Sequence, residues 1–370
     1  MNILVIKFRN IGDVLLTAPL ISALRRGGHR VSALVKAGTE AVLENHSDLD
    51  ALFVYPPRNA GEGRFAYLRR ELAFYRHLKK HAFDLAITTT EGDRGVLAAF
   101  LCGAKRRRGP FTPGKDKAWR CRLLTETVLP VSERRHTVLR NLDLGQPEAA
   151  RGPIAVDLAV AESDLKEVGR LLAAEGYDPG KPMIHIHPTS RWFFKCWTDS
   201  GMASVIDHFI DHGVQVSLSC GPGERERAKL DAILGLCRHR PMDLGGRLTL
   251  KQTAALSRLA CVFFGVDTAP MHMAAAVGTP VVALFGPSGA FDWGPWPNGW
   301  QETQNPYPHR NGLQIAGPHQ VVQQNWACAP CGQDGCEGSK RSACLEQTKA
   351  EDVIATIWRA MKASHQEKGR

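Results

Sequence analysis

Phe264-Gly265-Val266-Asp267-Thr268-Ala269-Pro270-Met271-His272-Met273-Ala274-Ala275-Ala276-Val277-Gly278-Thr279-Pro280 reads as a strand, a tight turn and a helix. The apolar run Leu259 to Val266 is continuous, as in a parallel strand covered on both faces. Asp267 and Thr268 make the turn, Met271 to Val277 form a helix of mostly small residues, and Gly278 with Pro280 stops it. Open α/β sheets take their ligands in the turns after the carboxyl ends of strands. The first amides of a helix lack internal partners and its dipole adds positive potential there, so this turn suits a phosphate. A helix cap by Asp267 or Thr268 is the simpler alternative. His272 falls in the first helical turn and adds weight to a diphosphate ligand.

Outward from this stretch the chain repeats the same alternation. Ile3 to Ile6 is a strand, Lys7 to Asp13 a turn, and Val14 to Arg26 a helix that ends at Gly27-Gly28. That turn lacks the GxGxxG pattern of dinucleotide-binding enzymes and carries a carboxylate, Asp13, which is either the helix N-cap or a general base at the top of the first strand. Strands over Arg30 to Val35, Ala51 to Tyr55 and Leu85 to Thr89 follow, with a helix from Phe65 to Lys80. The loop Pro56 to Arg64 is longer than the scaffold needs, as binding loops often are. Gly145 to Gly152 reads as a hinge-like linker, after which strands at Met183 to His187, Val214 to Ser219 and Val281 to Phe285 alternate with helices. Two such halves predict an α/β protein of two facing doubly wound domains, residues 1–150 and 151–348, with a cleft between them. A last helix within 349–370 has apolar residues Val353, Ile354, Ile357, Trp358 and Met361 at helical spacing and is expected to pack, with a return to the first domain as one route.

The 370 residues carry 44% hydrophobic and 23% charged side chains and a net charge of +10, so an anionic partner is favoured: nucleic acid, a phosphorylated glycan or an anionic membrane. No apolar run approaches the roughly 18 residues of a membrane span. Met1 to Phe8 enters a strand directly instead of showing a signal peptide, which predicts a cytoplasmic protein with reduced cysteines. The densest basic region, Lys105 to Arg108 with Lys115, Lys117, Arg120 and Arg122, is either a solvated face or a surface for acceptor phosphates, where the arginine fork has the better geometry.

Phe8-Arg9-Asn10-Ile11-Gly12-Asp13-Val14, Lys195-Cys196-Trp197, Val266-Asp267-Thr268-Ala269-Pro270-Met271-His272 and Leu284-Phe285-Gly286-Pro287, in this order, resemble the bacterial ADP-heptose:lipopolysaccharide heptosyltransferases of glycosyltransferase family 9, inverting enzymes of the GT-B fold. Arg191 to Trp197 and His136 to Leu142 look most like the heptosyltransferase III branch, which adds the side-branch heptose of the inner core. The resemblance implies an ADP-heptose donor and a phosphorylated lipid A-Kdo-heptose acceptor at the cytoplasmic face of the inner membrane. By position it makes Asp13 the general base. Thr189, Ser190 and Lys195 hold the diphosphate, Lys195 also serving catalysis, and Glu224, after a one-residue gap, binds the nucleotide ribose. Asp267 contacts the donor, and Thr268, Ala269 and His272 form the diphosphate turn, Ala269 standing where many members have glycine. Arg58, Arg64, Arg94, Arg106, Arg107 and Arg108 are the candidate acceptor contacts. Lysine and a helix N-terminus supply positive charge to the leaving group, so no catalytic cofactor or metal is expected.

Cys328, Cys331, Cys336 and Cys344, within the Cys-rich segment 326–345, offer either a structural zinc site or four reduced thiols; only the first pair has CxxC spacing. Trp293, Trp296 and Trp300 are either packing residues or the lining of a sugar or adenine site. Three rivals remain. A nucleotide-dependent epimerase or oxidoreductase would need the missing GxGxxG. A nucleic-acid-binding protein would interleave aromatics with its basic residues, which this chain does not. Another nucleotide-sugar transferase of the same fold, including heptosyltransferase types I and II, differs only in substrate.

Overall fold

The computed structural model describes residues 1–368 apart from 91, 132–133 and 302–303. The chain divides into two compact units, Met1–Ala159 and Val160–Arg370. In the first, six parallel strands, β1 (Asn2–Lys7), β2 (Arg30–Lys36), β3 (Ala51–Tyr55), β4 (Leu85–Thr88), β5 (Arg106–Pro110) and β6 (Glu126–Val128), lie in the order β3-β2-β1-β4-β5-β6. In the second, β7 (Met183–His187), β8 (Gln215–Leu218), β9 (Met242–Asp243), β10 (Val262–Val266), β11 (Val281–Phe285), β12 (Gln314–Ala316) and β13 (His319–Gln323) lie in the order β12-β13-β11-β10-β7-β8-β9. Only β12 runs antiparallel to its neighbour. Both sheets are wound outward from a central pair, β1 with β4 and β7 with β10, and the order reverses at that pair. Such a switch point opens a crevice at the carboxyl ends of the two strands.

The strands form because their side chains are apolar on both faces. Ile3 to Ile6, Val262 to Val266 and Val281 to Phe285 are all buried. Helices cover them closely. A Cβ added to Gly95 in the helix Asp93–Leu101 would lie 2.2 Å from the Thr88 hydroxyl, so glycine sets that distance of approach. The C-terminal helix, Ala350–Lys368, buries Val353, Ile357, Ala360 and Met361 in the same core as Ile184, Phe209 and Phe264. It therefore packs on the second unit. Among the described residues no helix is long and apolar enough to cross a membrane.

Four elements differ from the sequence reading. The helix expected over Val14 to Arg26 is two, Ile11–Leu15 and Ala18–Arg26, because Pro19 cannot continue the hydrogen-bond ladder and the Thr17 hydroxyl bonds the Val14 carbonyl at 2.6 Å. The run from Leu259 splits into the end of the helix Leu250–Leu259 and strand β10. The segment Gly145 to Gly152 is no free hinge: the Ala150 amide bonds the Ala23 carbonyl, and Glu148 is clamped by two arginines.

Those arginines are the fourth difference. Arg106, Arg107 and Arg108 lie in strand β5, the first two half-buried and Arg108 buried, instead of in a solvated run. Arg108 is 3% exposed and bonds Glu126 and Glu148 at 2.5 Å each, together with the Leu144 carbonyl. Arg106 pairs with the same two glutamates, and Arg107 donates to the Leu123 and Ala104 carbonyls. Partial burial opposes ionisation of Glu148, but hydrogen bonds from Arg108 and Arg106 outweigh it and hold the carboxyl down at about 2. Glutamates distant in sequence thus engage Arg106 and Arg108, two of the candidate acceptor contacts, while backbone carbonyls hold Arg107, the third.

Three buried histidines make the second unit sensitive to acid. Ser257 donates to the Thr253 carbonyl, so His185 donates from Nδ1 to Ser257 and its neutral Nε2 accepts from Ser219 at 2.6 Å. Ser219 then accepts from His187 Nδ1 at 2.8 Å. Protonation of His185 breaks this relay. Burial pushes His185 well below its usual value, and His187 and His319 down to about 4. These groups bind protons more readily unfolded than folded. Their contribution is therefore complete above the unfolded value near 6.5 and falls as pH drops toward 4. Urea unfolding should show stability level between pH 7.5 and about 6.5 and then falling toward pH 4.5 by up to about 1.4 kcal/mol per pH unit for each histidine, and His319→Gln should remove one such increment from the slope.

Candidate functional site

Each switch point gathers several of the candidate residues. In the first unit, Asn10 caps the helix Ile11–Leu15 and Asp13 is its third residue, closing a capping box through the Asn10 amide at 3.4 Å. Asp13 is thus a partner of the cap and not the cap itself. Lys7, the last residue of β1, is buried, bonds the Thr89 carbonyl at 2.9 Å and lies 3.7 Å from the Asp13 carboxylate. Sequence reasoning placed Lys7 in the turn and missed this pairing. The available signal was a lysine continuing an apolar strand.

In the second unit, the turns after β7, β10 and β11 converge on one ion pair. Lys195 Nζ lies 2.6 Å from Asp267 Oδ2, and the Ser288 hydroxyl donates to the same oxygen. Burial would raise the Asp267 carboxyl, but the Lys195 ammonium, its hydrogen bond and that of Ser288 hold it below the usual carboxylate range, and His272 adds to the effect. Thr268 stands at the N-cap position of the helix Ala269–Ala276 with its hydroxyl turned to the Val266 carbonyl at 3.3 Å, and His272 is buried in the first turn. Thr189 is buried and donates to Glu226 at 2.8 Å, while the Ser190 hydroxyl accepts the Trp192 amide at 3.1 Å.

Glu226 also accepts the Gly221 amide at 3.2 Å, so it ties the turns after β7 and β8 together. Glu224, the expected ribose ligand, is exposed at the start of the helix Glu224–Leu234. The residue that structure brings to Thr189 is two places further on. The signal was present as the second acid of Glu224-Arg225-Glu226.

A cavity of about 480 Å³ opens beside Lys195 and Ser288. Phe194, Phe291, Asp292 and Trp293 line it, and the segment Pro330 to Asp334 forms another wall. Of the three tryptophans read as possible lining, Trp293 lines this cavity, Trp296 is buried core, and Trp300 bonds the Gln304 carbonyl. The wall segment is fixed by the Gly332 amide on the Pro287 carbonyl at 2.8 Å. Its cysteines make no zinc site: among the described residues no group of three or more His, Cys, Asp or Glu is placed to hold a metal ion. Cys344 is buried beside Leu345 and Gly286, whereas Cys328, Cys331 and Cys336 are exposed. Burial, with Cys336 next, pushes the Cys344 thiol up to about 11.

Of the acceptor candidates outside β5, Arg58, Arg64 and Arg94 are exposed, and Arg58 donates to the Glu62 carbonyl at 3.1 Å.

The sequence pattern of glycosyltransferase family 9 (heptosyltransferase) matches residues 71–316. Lipopolysaccharide heptosyltransferase 3 of Escherichia coli (strain K12) is 30% identical over 311 residues, 82% of this chain and 88% of that protein. Among solved structures, a family 9 glycosyl transferase from Veillonella parvula DSM 2008 superposes with a TM-score of 0.76 at 18% identity, covering 98% of this chain and 97% of its own. The E. coli ADP-heptose LPS heptosyltransferase II superposes with a TM-score of 0.75 at 18% identity, covering 99% and 100%. These neighbours have the GT-B fold.

Proposed function

The chain belongs to glycosyltransferase family 9, the heptosyltransferases, and from that premise we propose that it transfers L-glycero-D-manno-heptose from ADP-heptose to the phosphorylated inner core of lipopolysaccharide, as heptosyltransferase III does. The observation that carries this is the Lys195, Asp267 and Ser288 cluster at the switch point, beside the N-terminus of the helix Ala269–Ala276. The second unit takes the donor and the first the acceptor.

The reaction is a single displacement with inversion. An acceptor hydroxyl attacks the anomeric carbon as the bond from that carbon to the diphosphate breaks, and the hydroxyl proton passes to the Asp13 carboxylate. Negative charge then grows on the departing ADP. Lys195 and the amides of Thr268 and Ala269 stabilise it electrostatically, Pro270 offering no amide. Asp267 positions Lys195, and the sugar lies toward Trp293 and Asp292 in the adjoining cavity. Glu226 replaces Glu224 as the acid that arranges the nucleotide side, through Thr189. Arg58, Arg64 and Arg94 meet acceptor phosphates. With an acceptor anchored in lipid, the enzyme works against the cytoplasmic face of the inner membrane.

The test is ADP release from ADP-heptose with and without a heptose-bearing, deacylated core acceptor. Acceptor-dependent release is expected, and nucleotide-sugar binding without release on any core acceptor would rule out this substrate. Lys195→Ala should lower kcat by about 10²- to 10³-fold in that assay, the loss usual for one preorganised donor at a developing charge. Activity should survive a chelator, since lysine and helix amides carry the positive charge.

A further inference from the structure

The helix Arg64–Lys79 turns a large apolar surface to solvent. Phe65 is 86% exposed, Leu68 49% and Leu72 50%. Spaced by three and four residues, they share one face over the first two turns. The rest of the helix is fixed inward: Tyr75 and Leu78 are buried beyond the stripe, Tyr67 and Glu71 bond the Tyr55 hydroxyl, and Arg70 grips Glu62 at 2.7 Å. The helix therefore has no means of rolling its apolar stripe into the core. Below the stripe, Arg69, Arg76, Lys79 and Lys80 are exposed. Residues 56 to 80 hold seven Lys and Arg against two Glu, both of which already have partners.

We propose that this face docks on the anionic surface of a lipid bilayer, with Phe65, Leu68 and Leu72 entering the interface and the basic collar meeting headgroups. An apolar tip ringed by cations is the pattern of an interfacial helix. A second copy of the chain would bring the same positive collar against itself, so charge favours lipid over self-association. The helix joins two parallel strands, β3 and β4, and so begins at the carboxyl edge of their sheet, the edge that carries Asp13. Docking there presents the acceptor side of the unit to a lipid-anchored acceptor, a point that rests on the function proposed above.

The experiment is flotation of the full chain with vesicles of phosphatidylcholine, with or without about one third phosphatidylglycerol. The wild-type chain should float with the anionic vesicles only. Phe65→Ser, Leu68→Ser and Leu72→Ser together should lower that partition by about tenfold or more, and Arg69→Gln with Arg76→Gln should lower it in a salt-dependent way. The triple variant should keep the wild-type unfolding midpoint and rate on the deacylated acceptor, while its KM for acceptor embedded in vesicles rises about tenfold. A triple variant that floats as the wild type does, or a wild-type chain that does not float, would overturn the proposal. So would concentration-dependent self-association that the triple variant abolishes, which would make the face an interface between copies. Lack of turnover on either acceptor would count against the transferase reading, and flotation would still decide this one.

Discussion

Asp13→Asn should leave ADP-heptose binding intact and lower kcat by about 10²- to 10⁴-fold, the range for loss of a positioned general base. The amide is close to isosteric and can still accept from the Asn10 amide, so the capping box of the helix Ile11–Leu15 survives. What it cannot do is take a proton. Isothermal titration with ADP-heptose alone, beside ADP release with acceptor, separates the two effects. An unchanged kcat would remove Asp13 from the mechanism and turn attention to other groups at the carboxyl edge of β1 and β4. Lys7 offers a control. Lys7→Met removes the neighbouring ammonium and its bond to the Thr89 carbonyl, and a smaller loss of kcat is expected because the base itself remains.

Glu148→Ala should destabilise the first unit by about 3 to 5 kcal/mol, the cost of leaving a buried charge without its partner. Arg108 would keep Glu126 but lose the carboxylate that, with the Leu144 carbonyl, satisfies its far nitrogen. Replacing both residues, Arg108→Met with Glu148→Leu, should recover much of the loss, since an apolar pair of similar volume avoids desolvation altogether. Denaturant midpoints of the single and double variants form the cycle. A loss below about 1 kcal/mol in Glu148→Ala would mean that the cluster behaves as a surface ion pair.

The fold was legible where apolar runs coincide with buried strands. Ile3 to Ile6, Met183 to His187 and Val281 to Phe285 stand out because parallel strands are covered on both faces. Strand β5 was hidden because its three arginines read as a solvated run, and the partners of Arg106 and Arg108, Glu126 and Glu148, come from 18 or more residues away in the chain. Composition cannot show such pairings. At the candidate site, the turn Asp267 to His272 was readable from its place after a strand, and Lys195 from the family resemblance. Ser288 and Glu226 were not, because each acts by reaching a residue of another turn: Asp267 for one, Thr189 for the other. The cysteine spacing was also a poor guide. It records distance along the chain, whereas one of the four side chains turns into the core.

The strand order has a consequence for how the protein behaves when crowded. A sheet edge offers unpaired amides and carbonyls to any extended chain that meets it. Of the four edges, β6 and β12 are three residues long and β9 is two. These stubs offer too little backbone to template an incoming strand, and β6 stands beside the charged row of β5. The fourth edge, β3, has five residues, and Val54 on it is exposed. Aggregation by strand addition therefore has one natural starting place, and a lysine at position 54 is the change that would close it.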